Sequence, residues 1–258
     1  FIILNEQMAW NLGSLPARIS FVLVAIWWLL FAQIPFRTLV ETPKESSHKT
    51  IDIIRNGYTE LRKVWTELRH FPILKKFLAS FFFYNMGVQT VMYMATYFAS
   101  DELKMETTQL LAVVLIIQLV AIGGAWLFAK LSNKAGNQTS LFTLIVIWIG
   151  ICFAAFVIQT ITQFFILAFA VGMVMGGIQS LSRSTYSKLL PPTEDTASYF
   201  SFFDVCDKLG IVIGTLSFGM ITLIMGGMRN AALGLSVFFI IGLSILLSIR
   251  KKEFQLAS

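Results

Sequence analysis

Twenty consecutive residues, Leu110 to Ala129, read LLAVVLIIQLVAIGGAWLFA without one charged side chain. A bilayer hydrocarbon core about 30 Å thick is crossed by about 20 residues of α-helix. Within it every backbone N–H and C=O must find a partner inside the spanning element. A run of this length therefore selects lipid as its solvent and helix as its conformation. Seven segments have this character, near 17–39, 73–99, 107–130, 138–158, 161–188, 197–226 and 230–249. With 56% hydrophobic residues, 24 Phe and only 13% charged residues, the chain reads as an integral membrane protein. The ten-residue alternation of an outer-membrane barrel is absent, so the expected fold class is all-α, with seven transmembrane helices. Cys152 and Cys206 both fall inside spans without CxxC or metal-ligand spacing, and read as small buried hydrophobes.

Basic residues set the orientation. The loop from Arg37 to Lys76 carries nine Lys/Arg, and Lys130, Lys134, Arg183, Lys188 and Arg250 to Lys252 follow on the same side. The other side holds only Arg18, Lys104 and Arg229. The positive-inside rule then places the long loop and the C-terminus in the cytoplasm. The net charge of +6 is thus juxtamembrane and does not point to nucleic acid. Within the loop, Ile54, Tyr58, Leu61, Trp65 and Leu68 recur at alternating spacings of four and three, which predicts an amphipathic helix. It lies on the inner membrane surface, packs against the helix ends, or serves as a solvated linker helix between two bundles.

The chain opens at Phe1 without an initiator methionine, and the polar NEQMAWNLGSLPARIS reads as the end of a preceding helix and its loop. The expected organisation is therefore the end of an N-terminal bundle over 1–36, with its last helix about 17–39. A cytoplasmic linker over 37–72 and a C-terminal six-helix bundle over 73–258 follow. A helix-bearing loop followed by six tightly connected spans is the plan of the second half of a twelve-helix transporter. The substrate site of such folds lies between two related halves near the midplane.

The span SYFSFFDVCDKLGIVIGTLSFG is the chemically unusual one. At 100° per residue Lys208 lies about 40° from Asp204 and Asp207 about 60° to the other side, one sector about 100° wide. Ser201, Thr215 and Thr222 share that stripe, and Phe202, Leu209, Ile213 and Leu216 lie opposite. Central charges cost about 2.5 to 3.5 kcal/mol each on insertion scales, so three facing lipid would cost roughly 8 to 10 kcal/mol. They must face a cavity or one another. Asp204 and Lys208 have the i, i+4 spacing of an ion pair. In the functional reading Lys208 binds an anionic group such as a carboxylate and Asp207 or Asp204 carries a proton. In the other reading a buried pair simply locks helices together, but the second aspartate then leaves a net negative charge.

Further polar positions mark two other spans. Asn85, Gln89, Tyr93 and Thr96 form a stripe at i, i+4, i+8 and i+11 in FFFYNMGVQTVMYMATYF, suited either to lining a substrate path or to joining helices. In GMVMGGIQSLSRSTYSKLLPP, Gly172 and Gly176 make a close-packing GxxxG face, and Gln179, Arg183 and Tyr186 continue one side. Pro191-Pro192 ends the helix. Arg183 is either a gate pairing with a carboxylate from another loop or a snorkelling cation, with Ser182 and Ser184 giving it a polar setting. Gly210 and Gly214 form a second small-residue seam.

FFFYNMGVQTVMYMAT, LIIQLVAIGGAWLFAKLSNKAG, GGIQSLSRSTYSKLLPP and SYFSFFDVCDKLGIVIGTLSFG together resemble the major facilitator superfamily. Within it they resemble the vacuole-effluxer-like permeases related to the autophagy-linked amino-acid exporter of fungal vacuoles. The resemblance runs along essentially the whole chain and makes its spans equivalent to helices 6–12 of a major-facilitator-type bundle. It implies a proton-linked or facilitative permease for small solutes, amino acids above all, and matches Lys208, Asn85 and Gln89 to polar positions of the family. Two departures stand out. Met86 occupies a position that is acidic in many relatives, which moves the expected proton carrier to Asp207 and Asp204. Asn133 replaces the aspartate of the loop motif resembled by AKLSNKAGN, which leaves the gating residue Lys134 without its local partner.

The expectation is a secondary active transporter working by alternating access, with substrate-binding residues Lys208, Asn85, Gln89, Tyr93 and Gln179 and gating residues Arg183 and Lys134. Its expected partners are a small-molecule substrate, the lipid bilayer and the N-terminal helical bundle of the same protein, with no cofactor, no metal and no nucleic acid. Short loops and a brief tail fit a bacterial cytoplasmic membrane. An intramembrane enzyme has little support, since His48 and His70 lie in the loop and acidic residues in the spans are confined to one helix. A membrane scaffold or receptor with a permease-like fold is the alternative.

Overall fold

The computed structural model of the chain describes residues 15–38, 50–193, 195–249 and Phe254, with side chains from residue 18 in the first stretch and from residue 57 in the second. The readings made above for Phe1 to Ser14, for Lys44 and Lys49, for the side chains of Ile54 and Arg55 and for Arg250 to Lys252 lie outside it. Two units divide the chain, Phe1–Ile53 and Ile54–Ser258. The first contains α1, Leu15–Thr38, which is apolar around its whole circumference and long enough to cross a bilayer.

The second unit begins within α2 (Thr50–Glu67), which passes through a short 3-10 turn, Leu68–His70, into α3 (Pro72–Glu102). Then come α4 (Thr107–Ala135), α5 (Asn137–Val157), α6 (Ile161–Leu189), α7 (Thr196–Met225), α8 (Met228–Gly234) and α9 (Ser236–Leu247). Their ends follow local chemistry. Pro72 opens α3, where a missing N–H costs nothing. Reciprocal Glu106–Gln109 and Thr160–Gln163 capping boxes open α4 and α6, and Asp195 caps α7 through Ser198. Gly226, at φ +72°, closes α7 in the left-handed conformation. α6 ends at Leu189, just before Pro191-Pro192, as expected.

Among the described residues six stretches are long and apolar enough to cross a membrane: α1, α4, α5, α6, α7 and the α8–α9 pair. α3 has the length, 31 residues, but Tyr84, Asn85, Gln89, Thr90 and Tyr93 lower its hydropathy. The all-α membrane bundle is as the apolar runs predict. The last predicted span differs in being two helices, Met228–Gly234 and Ser236–Leu247.

Small residues set the closest approaches. A Cβ on Gly172 would sit 2.8 Å from the Ile117 carbonyl oxygen, and one on Gly176 would collide with the Ala121 backbone. The GxxxG face of α6 is thus buried against α4. α3 crosses both α7 and α9. Gly242 of α9 lies against the backbone of Tyr84, and Trp148 and Phe239 stack at 5.6 Å in the core beside them. At the far end from the basic residues, Arg229 donates to Glu102 at 2.9 Å and to the Ile158 carbonyl, tying α8 to the ends of α3 and α5.

α2 meets the bundle with Leu61 and Leu68 of the predicted face, but with Val64 in place of Tyr58 and Trp65. Val64 and Leu68 are buried and Leu61 is half-buried, while Tyr58 and Trp65 are 70% and 57% exposed. The 3.6-residue period carries Val64, one position before Trp65, onto the inner face. Phe202, predicted opposite the charged sector, is likewise buried, its ring 6.1 Å from that of Trp65. Cys152 is buried as expected, and Cys206 is half-buried.

Candidate functional site

Asp207 sits on α7 one turn before Gly210 and two before Gly214. Gly210 faces Asn85 and Met86 of α3, and a Cβ on Gly214 would come within 2.8 Å of the Met86 carbonyl oxygen. That seam brings the α3 amides within reach of the α7 carboxylate. Asn85 Nδ2 and Gln89 Nε2 both donate to Asp207 Oδ1 at 2.8 Å, and Lys208 Nζ donates to Oδ2 at 3.0 Å. One carboxylate thereby accepts three hydrogen bonds, one of them from an ammonium, as an almost buried anion requires. A Gly214→Val substitution wedges α7 from α3. It is expected to cost about 1–3 kcal/mol, read as a lower melting temperature in detergent, and to open the Asn85–Asp207 contact.

These groups border a polar recess of about 220 Å³, partly open to solvent, between α3, α6 and α7. Gln179 and Arg183 of α6 line its rim. Phe81, Phe203 and the Tyr84–Ser182 pair line its wall. Ser182 gives its proton to the Ile178 carbonyl, so Tyr84 donates to Ser182 at 2.8 Å and both buried hydroxyls are satisfied. The Phe81 and Phe203 rings stack at 4.1 Å and hold α3 and α7 together beneath the site.

The predicted Asp204–Lys208 pair does not form. Lys208 turns back along its flexible stem to the neighbouring Asp207, whose desolvated carboxylate offers the stronger attraction, and Asp204 pairs with Arg183 of α6 at 3.2 Å. The charge that one pair left unexplained is thus balanced by Arg183. That second pair has both side chains more than half exposed and contributes little stability. Arg183 meets a carboxylate on α7, not one from another loop.

Of the sequence-predicted residues, Lys208, Asn85, Gln89, Gln179, Asp207 and Arg183 converge on the recess, with Asp204 at Arg183. Tyr93 does not line it. One turn past Gln89, this residue is 56% exposed. Lys134 is exposed in the last turn of α4, a helix that contributes nothing to the recess, and no ion pair involves it among the described residues. Beside it the polar contacts run through Asn137, which accepts from Ser132, donates to Thr185 at 2.9 Å and receives Lys188 at 3.5 Å. Sequence reasoning missed Tyr84 and this α4–α5–α6 junction. Each polar residue there has its partner on another helix, so no spacing along the chain announces it.

Lys208, Gln179, Arg183 and Asp204 are exposed on the bundle, whereas Leu209, Val212, Leu216 and Leu223 are exposed on another sector of α7. Only the second group suits lipid; the first needs water or a polar partner.

The sequence profile described as "Vacuole effluxer Atg22 like" matches residues 2–254. An uncharacterized MFS-type transporter of Bacillus subtilis, YxiO, is 32% identical over 233 residues, covering 90% of this chain and 54% of that protein. Autophagy-related protein 22 of Kluyveromyces lactis is 28% identical over 265 residues, covering 95% of this chain and 53% of its own length. The corresponding protein of Saccharomyces cerevisiae is 26% identical over 239 residues, with 80% and 45% covered. None of these descriptions is that of an enzyme class. The chain spans about half the length of the curated relatives it matches. A profile match over nearly every residue, on a bundle of membrane-length helices, places this multi-pass membrane chain in the vacuole effluxer Atg22-like family.

Proposed function

We propose that the chain is part of a secondary active transporter that moves a small carboxylate-bearing solute, an amino acid in the first instance, by proton-coupled alternating access. The observation that carries this reading is the Asp207 carboxylate, held by Asn85, Gln89 and Lys208 at the edge of a polar recess in an otherwise apolar bundle. Lys208 spends one of its three N–H donors on Asp207 and is 72% exposed, so its ammonium is free to take a substrate carboxylate. When the substrate draws Lys208 away from Asp207, that carboxylate loses its counter-ion and becomes the group that gains a proton. Substrate and proton are then coupled through one lysine. An amino acid's ammonium finds acceptors in the side-chain oxygens of Gln179 and Gln89.

The recess would be completed by a second helical bundle of the same protein, as in folds whose halves enclose the substrate at the midplane. The Arg183–Asp204 pair would open and close at the basic end. By the charge asymmetry that end faces the cytoplasm, in a bacterial inner membrane. The test is uptake of a labelled amino-acid library into proteoliposomes holding the full-length protein, with and without a pH gradient. Uptake that an imposed gradient alters supports the reading. A folded protein that moves no solute under any gradient would be a scaffold or receptor.

A further inference from the structure

We propose that the elbow joining α2 to α3 is a binding site for the phosphate of an anionic phospholipid headgroup. Trp65, Leu68, Arg69 and Lys75 line a pocket of about 120 Å³ there, outside the recess described above. Leu68 is buried and forms an apolar floor, while Arg69 and Lys75 are exposed and make no ion pair or hydrogen bond among the described residues. The nearest acid along the chain, Glu67, does not line the pocket and accepts the Tyr199 hydroxyl of α7 at 2.8 Å. Two unpaired cations therefore line a space to which no carboxylate among the described residues contributes. The first turn of α3 adds the positive end of its helix dipole.

Three features select a lipid over a soluble phosphate. The pocket sits where a 31-residue helix begins, at the basic end of the bundle. The Trp65 indole beside it and Phe71, 37% exposed in the elbow itself, suit the headgroup level of a bilayer. Arg62, Lys63 and Lys76 lie close by in sequence and extend the positive surface to five cations within fifteen residues, as anionic leaflets attract. Occupancy has a route to the transport site. Glu67 bonds Tyr199 and Trp65 lies against Phe202, so the elbow holds the first turns of α7, the helix that carries Asp204, Asp207 and Lys208.

The test is native mass spectrometry of the full-length protein in detergent, titrated with phosphatidylglycerol, phosphatidylcholine or inorganic phosphate. The wild type is compared with Arg69→Gln/Lys75→Gln, which keeps the side-chain stems, and with Arg62→Gln/Lys63→Gln, which removes equal charge outside the pocket. The expected result is preferential retention of phosphatidylglycerol, weakened about thirtyfold in the first variant and much less in the second. Equal weakening in both variants, or none in the first, overturns the site. Competition by millimolar inorganic phosphate without a preference for phosphatidylglycerol over phosphatidylcholine makes the occupant a free oxyanion and overturns the lipid assignment. Matching melting temperatures for all three proteins establish that binding, not folding, is being read.

Discussion

Lys208→Met is expected to lower solute uptake by about 30- to 150-fold while the protein still folds. The factor follows from losing one charge-assisted hydrogen bond to a substrate carboxylate, about 2–3 kcal/mol. Methionine keeps the length and apolar stem of lysine, and the ammonium it removes is largely solvated, so packing is little disturbed. Asp207 keeps its bonds from Asn85 and Gln89. Uptake of the variant in proteoliposomes, beside its melting temperature and elution profile, reads both quantities. A protein that fails to assemble would show that the Asp207–Lys208 pair is there to lock α7 in place. Normal uptake would remove Lys208 from the substrate site.

Asp207→Asn is expected to uncouple transport from the pH gradient. The amide cannot take up a proton at physiological pH; its single oxygen can keep both bonds from Asn85 and Gln89, so the new NH2 group takes the place of Oδ2 and Lys208 must turn away from it. The rearrangement costs about 1–2 kcal/mol of stability. Uptake driven by the substrate's own gradient survives, while the ratio of rates with and without an imposed pH gradient falls to about one. An unchanged ratio moves the proton to Asp204 or to another part of the protein.

Much of this site was legible along the chain because a helix in lipid imposes a fixed period and a steep cost on charge. Asn85 and Gln89 share a face by their spacing, and three ionisable groups on one span must face a cavity or one another. Gly172, Gly176, Gly210 and Gly214 marked the two seams that the bundle closes on. The partners within the cluster were not legible. Helical geometry pairs Asp204 with Lys208, yet pairing follows the carboxylate that is most desolvated and the cation that a neighbouring helix delivers. Arg183 lies 21 residues from Asp204, and only the packing of α6 on α7 brings them together. Part of the α2 face failed for a related reason. Tyr58 and Trp65 have the right period, but the small Val64 fits the surface that α2 meets and the large rings stay outside.

The central claim is that the Asp207–Lys208 recess opens to water and not to lipid or dry protein. A single cysteine at Gln179, on the rim of that recess, tests it directly in full-length protein whose other cysteines have been replaced. Gln179→Cys is predicted to react rapidly with a charged, membrane-impermeant methanethiosulfonate reagent and more slowly when transported substrate is present. Reaction only with a lipid-soluble maleimide, and none with the charged reagent from either side of the membrane, would contradict the account.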